Sequence, residues 1–170
     1  MKWSLSGTPG TGKTAVARLL EKNGYKVVYI ADLVNEFSVG YDKQRESVIV
    51  DEEKLDVYID TLPENIIIEG HLSHLLNTGG VIILRCHPKE LLNRLMKKRW
   101  KNQKIKENLE AEALDIILDK TLEKHSCIWE IDTTDMSVEQ VAQSIIKILT
   151  NTSEPEFGKI DWSEWVIGNA

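Results

Sequence analysis

Gly7-Thr8-Pro9-Gly10-Thr11-Gly12-Lys13-Thr14 fits the pattern GxxxxGK[ST] at every position. The glycines let the backbone curl until successive N–H groups converge on phosphate oxygens. A helix starting near Thr14 points its positive end at the same anion. Lys13 is spaced to reach β- and γ-phosphates as a point charge, and the Thr14 hydroxyl to ligate magnesium. Gly10, Thr11, Gly12 and Ala15 contribute backbone N–H groups. The expected ligands are ATP and Mg2+. The motif by itself says nucleotide, not reaction.

Outward from the motif the chain alternates strand and helix. Trp3 to Ser6 reads as a strand leading into the loop, and Thr14 to Asn23 as the helix leaving it, stopped by Gly24. Lys26 to Ile30 is a β-branched strand. Asp51 to Leu62 is a helix with an acidic first turn and Pro63 just beyond. Apolar strands follow at Ile66 to Ile68, Val81 to Leu84 and Cys127 to Ile131. They end at Glu69, Arg85 and Asp132 respectively. Helices are expected at Pro88 to Lys98, Lys104 to Lys124 and Ser137 to Leu149, the last capped by Ser137. Strands apolar on both faces suit a parallel sheet covered by helices. The expected fold is therefore α/β: a P-loop NTPase three-layer sandwich with a central parallel five-stranded sheet, in a single domain over 1–170. The segment beyond Thr150 reads as a tail on the surface. Its Trp162 and Trp165 either fill a surface groove as a strap or dock a partner.

Composition narrows the class. The 170 residues carry a net charge of -6, whereas a protein that coats nucleic acid shows a basic excess. Any RNA contact is expected to be local or to run through a protein partner. The two cysteines, Cys86 and Cys127, form no CxxC pair and read as reduced, mostly buried thiols of a cytosolic protein. No apolar run approaches the roughly 20 residues that span a bilayer. A motif beginning at Gly7 leaves no room for a signal peptide.

Glu69 ends the isoleucine strand, where P-loop folds carry an acid that helps hold magnesium. His71 lies two residues further, beyond the carboxyl ends of the strands, where substrates of such sheets bind. His74 reads as a surface residue. Arg85 ends the next strand. Arg99 falls in the basic stretch MKKRWKNQK, either a solvated helix end or a mobile segment that closes over the triphosphate.

Together these pieces resemble a family. The segments GTPGTGKT (Gly7 to Thr14), ADL (Ala31 to Leu33), GYD (Gly40 to Asp42), VDEEKL (Val50 to Leu55), IIIEGH (Ile66 to His71), ILR (Ile83 to Arg85) and RW with KIKENLEAE (Arg99 to Glu112) carry the likeness. They are similar to the small nucleoside monophosphate kinases called adenylate kinase isoenzyme six in eukaryotes, and to their archaeal relatives. The resemblance implies a fold of the nucleoside monophosphate kinase type and transfer of the ATP γ-phosphoryl group to a monophosphate, usually AMP, besides ATP hydrolysis. It implies a monophosphate-binding segment at about 30–53 and a short lid at about 99–109. Catalysis would rest on Lys13, Glu69, His71 and Arg99, with Arg99 also touching ATP and with Thr14 and Glu69 on the metal. It further implies a role in small-ribosomal-subunit maturation through a platform ribosomal protein. Two positions depart from the family pattern. Glu69 stands where Asp is usual, and Asn35 where an arginine often follows the DL pair, unless Arg45 replaces it.

Overall fold

The computed structural model describes residues 1–43 and 47–168. β1 (Trp3–Gly7) enters the P-loop and α1 (Lys13–Lys22) leaves it. Then come β2 (Lys26–Tyr29), α2 (Ile30–Leu33), β3 (Ser38–Asp42), β4 (Ser47–Val50), α3 (Glu52–Thr61) and β5 (Ile66–Glu69). A 3-10 turn (Ser73–Leu75) precedes β6 (Gly80–Arg85), α4 (Pro88–Met96), α5 (Asn102–Ala113) and α6 (Ile116–Leu122). The chain closes with β7 (Ile128–Asp132), α7 (Val138–Leu149) and α8 (Ser163–Gly168).

The central sheet has the order β2-β5-β1-β6-β7, and every neighbouring pair is parallel. Its strands are apolar on both faces because both are covered. Trp3, Leu5, Ile67, Ile82, Leu84 and Ile131 pack against α1 and α7. Alternate residues face the other way: Ile66 and Ile68 meet Leu55 and Ile59 of α3, and Val81, Ile83 and Ile128 meet Leu118 of α6. On β1 that second face carries Ser4 and Ser6 instead of aliphatics. The 3-10 turn packs close there, and Ser4 Oγ donates to Ser73 O at 2.6 Å. Leu91 and Leu95 of α4 join Ile105 and Leu109 of α5 in a further cluster.

The five-stranded parallel sheet is the one expected; several local readings are not. The second strand stops at Tyr29, and Ile30 enters α2, buried against Gly70, where a Cβ would lie 2.9 Å from Ile30 Cβ. Two strands with no counterpart in the sequence reading, β3 and β4, pair antiparallel apart from the central sheet. The single helix expected over Lys104 to Lys124 is two, because Asp115 adopts φ 55° and turns its carboxylate onto Arg85. Cys127 is exposed, while Cys86 is buried as expected; its strand position lies just before β7 begins. The tail is a strap. Glu156 pairs with the edge strand, Glu130 N–H donating to Glu156 O at 2.9 Å and Glu156 N–H to Ile128 O at 3.0 Å. Beyond it Trp162 meets His87 edge-on, with ring centroids 4.8 Å apart, and Trp165 packs onto the α4–α5 cluster.

Candidate active site

The strand order switches sides at β1: the chain first visits β2 and β5 on one side, then β6 and β7 on the other. A crevice opens at the carboxyl ends of strands where such a switch occurs. β1 ends there at Gly7, and β5 at Glu69. Gly7 must be glycine, since a Cβ would lie 2.4 Å from Leu84 O of the neighbouring strand. Gly12 precedes α1 at φ 100°, a backbone conformation that a side chain opposes. Its lack of a side chain also leaves the first turn uncapped. The first helical N–H to find a carbonyl is that of Val16, on Gly12 O at 3.2 Å. The N–H groups of Lys13, Thr14 and Ala15 therefore remain for an anion.

Lys13 is buried and folded back over its own loop, donating to Gly7 O at 2.6 Å and Thr8 O at 3.0 Å. Burial lowers its pKa to about 8, against the pull of the Glu69 carboxylate. Glu69 is 5% exposed and accepts a hydrogen bond from Thr14 Oγ1 at 3.3 Å. Burial raises its pKa, while the Lys13 charge and the Thr14 bond oppose that rise. Helix hydroxyl and strand-end carboxylate thus meet beside the loop that holds the lysine. Two oxygen donors side by side suit a hard cation such as Mg2+.

His71 lies at the cleft mouth with an exposed side chain. Packing against it and the charges of Lys13 and Lys104 hold its imidazole below the ordinary range. His74 is not a surface residue. It is 4% exposed, because the 3-10 turn folds it under β1, where Ser6 Oγ and its Nδ1 share a hydrogen bond of 3.0 Å. Its Nε2 is buried with no partner among the described residues. Burial lowers its pKa to about 4.

Arg99 has an exposed side chain and φ 54°, which marks a sharp turn between α4 and α5. Around it, Lys98 and Lys104 lie 5.0 and 4.6 Å from the centre of the Trp100 ring. The Lys98 charge is felt at both Lys13 and Glu69. Both lysines belong to the basic stretch MKKRWKNQK, and the tryptophan between them gathers them on one ring. Asn35 is exposed in the turn after α2. Arg45 lies outside the described residues.

Arg85 belongs to the frame of the site. Its Nε donates to Glu112 Oε1 at 2.8 Å, Nη2 to Glu112 O at 3.0 Å and to Asp115, and Nη1 to Glu130. Arg94 performs a parallel task, donating to Thr133 O at 3.1 Å and Thr134 O at 3.3 Å. That loop borders the phosphate site, with Thr133 Oγ1 3.1 Å from Thr11 O.

A P-loop running from the central strand of this sheet, with helices on both faces, defines a P-loop NTPase fold of the nucleoside monophosphate kinase type. Comparison with known proteins narrows the class. A family described as "AAA domain" matches residues 4–115. A protein of Archaeoglobus fulgidus named "Putative adenylate kinase" is 42% identical over 163 residues, covering 94% of this chain and 90% of its own length. Its namesakes in Methanocaldococcus jannaschii and Thermococcus gammatolerans are 38% and 39% identical, over 96% and 95% of this chain and 94% and 92% of theirs. The chain belongs to this family of archaeal adenylate kinase-like proteins.

Solved structures share the fold at lower identity. The YorR protein of Bacillus subtilis, in complex with phosphorylated GDP, is 17% identical with a TM-score of 0.62, covering 89% of this chain and 97% of that one. Shikimate kinase from Bacteroides thetaiotaomicron is 17% identical with a TM-score of 0.55, covering 88% and 98%.

Proposed function

We propose that this protein is a cytoplasmic nucleoside monophosphate kinase that transfers the ATP γ-phosphoryl group to AMP or another nucleoside monophosphate, with some ATP hydrolysis. The observation that carries this reading is the meeting of Lys13, Thr14 and Glu69 at the strand ends, beside the uncapped first turn of α1. The adenylate kinase name of the relatives supports AMP as acceptor. A phosphate oxygen of the acceptor attacks the γ-phosphorus, and the bond to the β,γ-bridging oxygen breaks. Such a transfer needs chiefly alignment and charge stabilisation.

In this reading the N–H groups of Gly10 to Ala15 and the Lys13 ammonium hold the triphosphate. Thr14 and Glu69 would hold magnesium, which would supply neutralising charge to the phosphates. His71 and Arg99 act at the reacting group. Residues 30–53 bind the acceptor, and residues 99–109 form a short lid. The test is ATP turnover with and without AMP, following ADP and inorganic phosphate separately. The expected result is ADP well in excess of phosphate, and only when AMP is present. Phosphate alone, unaffected by any monophosphate, leaves an ATPase.

The net charge of -6 supports a second role beside the first, as an ATP-driven assembly factor that grips a basic platform protein of the small ribosomal subunit. RNA contact would then be indirect. Pull-down with purified platform protein at low and moderate salt tests it. Salt-sensitive capture is expected, and tight binding to naked ribosomal RNA alone overturns it.

A further inference from the structure

Two carboxylates grip the P-loop from opposite ends. Glu69 takes the Thr14 hydroxyl at the end that faces the cleft. Glu112, on the last turn of α5, takes the Thr8 hydroxyl at the start of the loop. Nothing in the chemistry assigned above uses Glu112. It is 2% exposed, as is Thr8. Its other oxygen accepts from Arg85 Nε at 2.8 Å and from Cys86 N–H at 3.0 Å. Both oxygens are thus committed, and the carboxylate has no freedom to swing towards a ligand.

Thr8 is the hinge pin of the loop. Its carbonyl accepts from Thr11 N–H at 3.2 Å, Thr11 Oγ1 at 2.9 Å and Lys13 Nζ at 3.0 Å. Whatever fixes Thr8 therefore fixes the curl of the loop and the resting place of the ammonium. The fixing group also rides on the helix that leaves the basic segment around Arg99, and Arg85 clamps it to the end of β6.

We propose that Glu112 is a positioning residue of the phosphate site: by holding the Thr8 hydroxyl it sets the P-loop and Lys13 in place before ATP arrives. A loop set beforehand gives up less freedom when it closes on the triphosphate. The inference rests on the reading of the loop as an ATP site but not on the identity of the acceptor. Its test is therefore MgATP affinity, measured by calorimetry on the full chain, with the melting temperature recorded alongside.

Thr8→Val keeps the shape and loses the hydroxyl, Thr8→Ser keeps the hydroxyl, and Glu112→Gln keeps the shape, loses the charge and replaces one acceptor oxygen by an N–H donor that the Thr8 hydroxyl can turn to accept. Losing a charge-assisted hydrogen bond that orders the loop is expected to weaken MgATP binding by about tenfold in Thr8→Val. Thr8→Ser should bind like the unaltered protein, and Glu112→Gln should fall between them. The double variant Thr8→Val/Glu112→Gln should bind no more weakly than Thr8→Val, because Glu112 reaches the loop through the Thr8 hydroxyl while its bonds to Arg85 and Cys86 lie outside the loop. A lower melting temperature with unchanged affinity in Thr8→Val, or effects that multiply in the double variant, reduces Glu112 to a core ion-pair residue and overturns the inference. If the unaltered protein itself binds no MgATP, the reading of the P-loop falls, and the inference with it.

Discussion

Lys13 waits for its ligand mostly charged at pH 7 and half-neutral only at about pH 8. With a pKa lowered to about 8 by burial, it loses its proton in the free protein as pH rises past that value. Only the charged form pairs with phosphate, and phosphate in turn favours that form. We expect kcat/KM for ATP to fall by about tenfold per pH unit above about 8, while kcat persists to higher pH. A pH series of both constants checks this; a flat kcat/KM up to pH 10 would show that Lys13 does not titrate there. Lys13→Ala should lower turnover by at least roughly 100-fold with little change in melting temperature, since the side chain sits on loop carbonyls and outside the aliphatic core. His74 makes the opposite kind of statement. Its pKa is about 4 in the folded protein, below the ordinary imidazole value of about 6.5. As pH falls, the unfolded chain takes up this proton first, so stability is full above about 6.5 and drains away towards 4. His74→Asn should remove about 2–3 kcal/mol of that acid-side loss in urea titrations at pH 4 and 7. His71 and His125 are shifted the same way, so the slope should shrink and not vanish.

At the scale of elements, local signals decided most boundaries. Ser137 accepts from Gln140 N–H at 3.2 Å, and Gln140 Oε1 accepts from Ser137 N–H at 2.8 Å, a complete capping box where a serine at the helix start implied a cap. Ser137→Ala should cost about 1 kcal/mol and lower the melting temperature by about 2–4 °C, measurable by circular dichroism. Asp51 caps α3 in one direction only, accepting from Lys54 N–H at 3.1 Å. The break between α5 and α6 had no such local mark. Lys104 to Lys124 contains neither glycine nor proline, and its left-handed residue is Asp115, held by Arg85 from a strand 30 positions earlier. The hairpin of β3 and β4 escaped for a related reason. β3 alternates at Val39 and Tyr41, but both are exposed and Gly40 stands between them, while β4 reads Val48-Ile49-Val50 with no alternation, so no buried face marks the hairpin.

The whole molecule is closed by its tail. Residues 156–165 pair with the edge of β7, meet His87 and cover the α4–α5 cluster. Gly158 N–H also donates to Glu130 Oε2 at 2.6 Å, and Glu130 holds Arg85, which holds Glu112. Ending the chain at Thr150 should therefore uncover the part of the α4–α5 cluster on which Trp165 packs and leave the β7 edge unpaired. We expect a melting temperature lower by more than about 5 °C and new binding of an apolar dye. An unchanged melting temperature would mean that the strap only rests on the surface.

Much of this was legible in one dimension. The eight residues from Gly7 to Thr14 specify a backbone shape, because glycine at Gly7 and Gly12 permits what other residues resist, and a lysine and a threonine at fixed offsets follow the curl. Isoleucine runs ending in an acid place Glu69 at a strand end, since a parallel strand buried on both faces must be apolar until it emerges. What remained hidden depends on partners far apart in the chain. His74 is buried because Ser6, 68 residues away, offers it a hydrogen bond. Asp115 turns its carboxylate onto Arg85, 30 positions earlier, and Glu112 reaches the P-loop across 104 positions. A polar side chain carries no local sign of whether it meets water or a buried partner. That choice is made by packing, where an unpaired charge is too costly to leave alone.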